Sequence, residues 1–495
     1  MNNELGFDNE KYLKMQAEHI HERILKFGNK LYLELGGKLF DDYHASRVLP
    51  GFKPDSKINM LAHLADQLEI VVAICALDIV NNKVRGDYNI TYDLDVLRLI
   101  DAFRKKGFYV GSVVITQYNS EPAVVSFKKR LESMNIKTYM HYPIDGYPAN
   151  VSLIVSEEGL GKNEYIETQR PLVVVTAPGP CSGKMATCLS QLYHENKLGI
   201  KAGYAKFETF PIWNLPIKHP VNLAYEAATA DIKDMNMIDP FHLEAYGVTT
   251  VNYNRDIEVF PVLNAIFEKI IGSSPYKSPT DMGVNMAGNC IIDDEVCRRA
   301  SLDEIIRRYY NTMRDERKGR ADKEAILKTE LIMNQAKVST DDRPVVAAAL
   351  NKSTETDAPA SAIQLNDGTI ITGKTTPLLG ASAACILNVL KSIAEIDDDY
   401  HLISPTVIEP IQNLKINHFG NNNPRLHIDE TLIALSICAT SDPLARQAFD
   451  VLPKLRGLEA HSSVILSQND ESIFKKLGMN LTCEPLYQSK KLYHR

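Results

Sequence analysis

Apolar runs spaced by amphipathic segments set most of what this chain can become. Glu69-Ile-Val-Val-Ala-Ile-Cys-Ala-Leu-Asp78, Tyr109–Thr116 and 137–142 alternate with helical patterns over 56–67, 93–106 and 121–134. A continuous apolar run bounded by polar residues suits a strand buried on both faces, and strands separated by helices pair in parallel. An amphipathic helix over 8–27 and a short strand, Leu31–Leu35, precede this alternation. The N-terminal region is therefore expected to be an α/β parallel sheet flanked by helices.

A second series opens at Pro171-Leu-Val-Val-Val-Thr-Ala-Pro-Gly-Pro-Cys-Ser-Gly-Lys-Met-Ala-Thr187. Strand, glycine loop, lysine and helix is the order a phosphate cradle needs: loop N–H groups and the positive helix end face the anion, and lysine adds a full charge. Against the P-loop signature the match is imperfect. Pro178 occupies the first glycine position, with Gly179 one place late, and Met185 stands where a Mg²⁺-binding hydroxyl belongs. The nearest downstream hydroxyl is Thr187. The stretch reads as a P-loop-like anion-binding loop built from Gly179, Ser182, Gly183, Lys184 and Thr187.

Other candidate residues fall at strand ends, where open α/β sheets build ligand sites. Gly36-Gly37-Lys38 follows the first strand and leads to Asp42, His44 and Arg47. Asp78 closes the second apolar run and Asp256 opens a helix; either acid suits a magnesium ion, although capping is the simpler role for Asp256. Glu208, at the end of a strand over 202–208, is a candidate general base. His44 and Arg47 would close the site. The proline-rich segment 210–220 must be irregular. It carries Trp213, the single tryptophan, read as packing or as a lining over substrate.

Composition bounds the class. The 495 residues are 44% hydrophobic and 24% charged with a net charge of −7, so nucleic acid is not an expected partner. The start is polar and acidic, so no secretory signal is expected, and no apolar run is long enough to span a membrane. Eight scattered cysteines form no C-x-x-C pair, which argues for reduced thiols, a cytoplasmic location and no zinc.

Four parts are expected: an N-terminal βαβ region over 1–165, the region with the anion loop over 166–290, a helical segment over 291–340, and a C-terminal α/β domain over 341–495. In the helical segment, Arg307, Arg308, Arg314, Arg317, Lys318 and Arg320 read most simply as a solvated face. In the last part, Ser361 to Gly373 is a hairpin around Asn366-Asp367-Gly368, followed by a small-residue helix. Hairpin then helix looks like the opening of the cytidine-deaminase fold, without the H-x-E and P-C-x-x-C residues of that zinc chemistry.

Several long stretches resemble one bacterial family, domain of unknown function 1846. They include YLELGGKLFDDYHASRVLPGF, VTAPGPCSGKMATCLSQLYHE, AKFETFPIWNLPIKHPVNLAYEAATAD, SPTDMGVNMAGNCI and SAIQLNDGTIITGKTTPLLGASAA. The resemblance covers essentially the whole chain. It implies an α/β N-terminal region, a helical insertion and a C-terminal domain of deaminase topology, and it names no reaction. It also implies a glycine where this chain has Cys181.

The functional expectation is an enzyme, a transferase or hydrolase, taking a small phosphorylated molecule or nucleotide, with Mg²⁺ as the accompanying ion if a nucleotide binds. Lys184 would stabilise transferring phosphoryl oxygens. A transferase working without ATP would explain the missing hydroxyl after Lys184. The alternative is a non-catalytic ligand-sensing or assembly protein, and a homo-oligomer is expected.

Overall fold

The computed structural model describes residues 4–37, 39–40, 42–85 and 90–488. Lys38 lies outside them. The described residues divide into two compact units, one within 5–226 and 234–300, the other of residue 4, 227–233 and 301–488.

The first unit is built on a parallel sheet of seven strands. These are β1 Leu31–Leu35, β2 Leu68–Cys75, β3 Tyr109–Thr116, β4 Lys137–Met140, β5 Leu172–Thr176, β6 Gly203–Phe207 and β7 Gly283–Val284. Their order across the sheet is β7-β6-β1-β5-β2-β3-β4. Leu31 of β1 stands opposite Leu172 on one side and Gly203 on the other. Segments 1–165 and 166–290 thus supply strands to a single sheet, because β5 inserts between β1 and β2. Every residue of β1, β2 and β5 is buried, as unbroken apolar runs require.

The register is pinned by polar groups at the sheet's other edge. β2 and β3 slip by one residue at Gly111, where a Cβ would fall 2.0 Å from Glu69 Oε1. Glu69 uses that space to accept the Gln169 N–H at 2.7 Å, tying the approach to β5 back to β2.

Helix Asn9–Lys26 is capped by Asp8 and buries Tyr12, Leu13, Gln16, Ala17, Ile20 and Ile24. Gln16 holds the edge strand β7, donating to the Val284 carbonyl and accepting from the Met286 N–H, each at 2.8 Å. The stretch 276–289 therefore contributes a strand to the sheet. Its glycines admit neighbours: a Cβ on Gly283 would lie 2.5 Å from Trp213, and one on Gly288 would lie 1.7 Å from Asn214.

The short strand Val251–Tyr253 pairs antiparallel with Asn236–Ile238 outside the main sheet. One expected element is placed differently. The apolar run ending in Asp78 stops as a strand at Cys75. The chain then turns into helix Ala76–Val80, so Asp78 sits in a first helical turn.

The second unit carries a smaller mixed sheet of β8 Ala360–Gln364, β9 Ile370–Lys374, β10 Glu459–Ser462 and β11 Asn480–Cys483, ordered β9-β8-β10-β11. β8 pairs antiparallel with β9 and β10, and β10 parallel with β11. Helix Ala381–Ile393 lies close on the hairpin: a Cβ on Gly373 would be 2.3 Å from the Cys385 nitrogen. Arg307 departs from its expected solvated face. It is buried, 2.8 Å from both Glu304 and Glu459, and Arg343 closes on the other oxygen of Glu459. A charge run says nothing about partners that fold in from distant sequence. Among the described residues, no helix is long and apolar enough to cross a membrane.

Candidate anion-binding site at the carboxyl edge of the sheet

The loops leaving β1, β2, β3, β5 and β6 share the carboxyl edge of the sheet. After β5 the chain moves toward β6 and β7; after β2 it moves the opposite way, toward β3 and β4. β5 and β2 are neighbours, so the two connections part between them. Ligands of open α/β sheets bind in such a parting.

The β5 loop has the backbone of an anion nest. Cys181 and Gly183 both have left-handed φ, +59° and +80°. The N–H groups of Cys181, Gly183, Lys184 and Met185 meet no acceptor among the described residues. Successive N–H groups in turns of this kind converge on an anion. Gly183 is the N-cap of helix Lys184–Lys197. A Cβ there would lie 2.8 Å from the Thr116 side chain, so a larger residue is excluded by space as well as by φ. Cys181 takes up its left-handed angle without being glycine, and its thiol is exposed.

The two hydroxyls expected at the anion hold the loop itself. Ser182 Oγ donates to the Gly179 carbonyl at 2.9 Å, and Thr187 Oγ1 to the Gly183 carbonyl at 3.0 Å. Both residues are fully buried. Thr116, at the end of β3, donates to the Ser182 carbonyl at 3.0 Å. Lys184 is half-buried in the first helical turn and makes no ion pair or hydrogen bond with the described residues. Gly36 has open space where a Cβ would be, and Gly37 has φ +69°. Neither brings a side chain to the start of the adjoining β1 loop.

Asp78 flanks the loop on the β2 side. Its Oδ1 lies 3.1 Å from Lys83 Nζ, and its Oδ2 is buried without a hydrogen bond among the described residues. Lys83 lies 4.9 Å above the ring of Tyr92. A Cβ on Gly179 would meet that ring's hydroxyl at 2.3 Å, so the Asp78–Lys83–Tyr92 group packs directly on the loop. Burial opposes the Lys83 charge, but Asp78, the Tyr92 hydroxyl and the Cys181 thiol outweigh it and raise the Lys83 pKa.

A second polar group lies beyond β1, at the end of β6. Glu208 is buried, with its side chain 4% exposed, and Lys206 Nζ lies 2.9 Å from Oε1. Asp256, in the first turn of helix Asn254–Ile271, closes more tightly on the same ammonium. Burial pushes the Glu208 carboxyl up to about 7; Lys206 opposes the rise and Asp256 adds to it. Burial disfavours the Lys206 ammonium, yet Asp256, Glu208 and Glu34 hold it charged. Glu34 of β1 accepts the Tyr204 hydroxyl at 2.7 Å. His44 reaches this side through its ring contacts, 5.4 Å from Phe210 and 5.7 Å from Tyr225. Asp42 caps the short helix Tyr43–Val48, which carries His44 and Arg47. Burial would raise the Asp42 carboxyl, but Lys57 at 2.8 Å holds it below its ordinary value.

The sheet thus gathers Gly36, Gly37, Asp78, Gly179, Ser182, Gly183, Lys184 and Glu208 along one edge. The two acids, either of which was a candidate for magnesium, stand apart. Asp78 follows β2 and Asp256 leans on β6, three strand spacings apart or about 14 Å, and each is paired with a lysine. Among the described residues, no group of three His, Cys, Asp or Glu side chains is arranged to hold a metal ion. Sequence reasoning passed over Glu34, Thr116 and Tyr92. Glu34 had a signal, an acid inside the otherwise apolar Leu31-Tyr-Leu-Glu-Leu35; Thr116 and Tyr92 had none beyond their position at element ends.

The family models for the N-terminal and C-terminal parts of domain of unknown function DUF1846 match residues 5–337 and 341–493. A UPF0371 protein of Streptococcus pyogenes serotype M5 is 57% identical over 491 residues, covering 99% of both chains. A UPF0371 protein of Streptococcus uberis is 56% identical over the same length, again covering 99% of each. The chain belongs to the DUF1846 family, whose streptococcal members carry the name UPF0371.

Proposed function

We propose that the carboxyl edge of the seven-stranded sheet binds a phosphorylated small molecule, and that the chain is an enzyme of phosphoryl or group transfer. One observation carries this reading. The left-handed Cys181 and Gly183 aim unclaimed N–H groups at the start of a helix whose first residue, Lys184, has no partner among the described residues. A helix start with free donors and an uncommitted cation is a phosphate seat. Lys184 would stabilise charge on transferring oxygens, and Glu208, with its raised pKa, suits a proton acceptor near neutral pH. The β5 loop and Glu208 are separated by β1, about 10 Å across two strand spacings, a span one phosphate ester can bridge.

A phosphate ester that binds without magnesium is favoured over a magnesium nucleotide. Met185 occupies the hydroxyl position next to Lys184, and Thr187 is committed to the Gly183 carbonyl. The eight cysteines are all free thiols, in keeping with a reducing cytoplasm. Calorimetric titration of ATP, GTP and sugar phosphates into wild type and Lys184→Ala, with and without Mg²⁺, tests the reading. Binding that is lost in Lys184→Ala and unchanged by Mg²⁺ supports it. The absence of any phosphate ligand up to millimolar concentration, or binding that survives the substitution, overturns it. The non-catalytic alternative predicts binding with no turnover of any bound ester.

A further inference from the structure

Glu208 and Trp213 meet around one glycine. A Cβ on Gly283 would lie 2.5 Å from Trp213 Cζ2 and 3.2 Å from Glu208 Oε2, so the indole and the carboxyl flank the same α-carbon. Cζ2, with Cη2 next at 2.8 Å, belongs to the benzo edge of the indole and lies two bonds from the ring nitrogen. Lys206 lies against Oε1 of Glu208, whereas Oε2 turns toward the glycine. Oε2 and the Trp213 indole nitrogen are both buried without a hydrogen-bond partner among the described residues. Burying an acceptor and a donor around one glycine with neither satisfied is costly, and in native structures such groups call for an explanation.

We propose that Glu208 and Trp213 form a hydroxyl-binding subsite across Gly283, in which a ligand hydroxyl donates to Glu208 Oε2 and accepts from the Trp213 N–H. One hydroxyl satisfies both groups because it is donor and acceptor at once. The ligand is therefore a phosphate ester of a sugar or polyol. Its phosphate sits on the Lys184 loop and its hydroxyl at β6. This inference rests on the phosphate site proposed above and names the chemistry of its other end. Trp213 is carried by the irregular segment between Phe207 and the helix starting at Pro220, and its indole flanks the same glycine as the carboxyl, so its emission reports the arriving hydroxyl.

The single tryptophan makes the test specific. Inorganic phosphate and ribose 5-phosphate are titrated into wild type, Trp213→Phe, Glu208→Gln and Gly283→Ala by calorimetry, and into wild type by fluorescence. The expected result is tenfold or more tighter binding of ribose 5-phosphate than of phosphate. The tryptophan emission shifts with the sugar phosphate only. Trp213→Phe and Gly283→Ala bring the preference below threefold while still binding phosphate, which also reports that they are folded. Glu208→Gln loses the preference as well. Phosphate binding with no preference for the ester, or a preference kept in Trp213→Phe and Glu208→Gln, overturns the subsite and leaves the phosphate site standing. Failure of phosphate and ester alike overturns both.

Discussion

Gly183 and Thr116 stand so close that no side chain fits between them: a Cβ on Gly183 would be 2.8 Å from Thr116 Cγ2 and from Oγ1. The same Thr116 hydroxyl holds the Ser182 carbonyl. The end of β3 therefore sets the shape of the β5 loop, two strands away in the sheet.

Gly183→Ala meets two penalties, a left-handed φ of +80° and an overpacked contact with Thr116. The expected loss of stability is about 2–4 kcal/mol, with loss of phosphate binding. Urea unfolding measures it; a change under about 0.5 kcal/mol would contradict the contact.

Lys184→Ala is expected to leave stability within about 0.5 kcal/mol of wild type, because its ammonium has no partner among the described residues to lose. The same variant should not bind phosphate. Thermal melts and calorimetry on one preparation check both halves, and a marked fall in stability would mean that Lys184 holds the fold instead.

Glu208 gives a signed pH dependence. In the folded chain its carboxyl keeps a proton up to about 7, against an ordinary value of 4.5. Between those values the folded state binds more protons than the unfolded state, so this group's contribution to stability falls as pH rises. Glu208→Gln removes the titration. Its stability relative to wild type should improve by about 1–3 kcal/mol between about pH 5 and about pH 8, measured by urea unfolding at both. A relative stability that falls over this range would mean that the carboxylate is favoured in the fold.

The second unit offers a prediction of its own. Glu459 is buried between Arg307 and Arg343, which hold its carboxyl ionised against the cost of burial. Glu459→Leu would leave two buried guanidinium groups facing each other and should cost about 3–5 kcal/mol. Calorimetry of the whole chain would read this as a lowered transition, and an unchanged thermogram would contradict the network.

The apolar runs at 69–75 and 172–176 were legible as buried parallel strands because burial on both faces leaves an unbroken apolar run, whereas Lys137–Met140 is a half-exposed edge strand that the βα alternation gave away. The insertion of β5 between β1 and β2 was not legible, since strand order is decided by packing between runs that look alike. Gly183 and Lys184 were readable from spacing. The partners of Glu34 and Lys206 were not, because Tyr204 and Asp256 are 170 and 50 residues away in sequence. Arg307 looked solvated for the same reason; Glu459, 152 residues on, buries it.

Hydrogen–deuterium exchange in the presence of ribose 5-phosphate tests the central claim most directly. The N–H groups of Cys181, Gly183, Lys184 and Met185 meet no protein acceptor among the described residues, and a bound phosphate would supply one. Slowed exchange in peptides covering residues 177–187, absent in Lys184→Ala, is the predicted result. Unchanged exchange there at saturating ligand, or protection confined to another part of the chain, would contradict it.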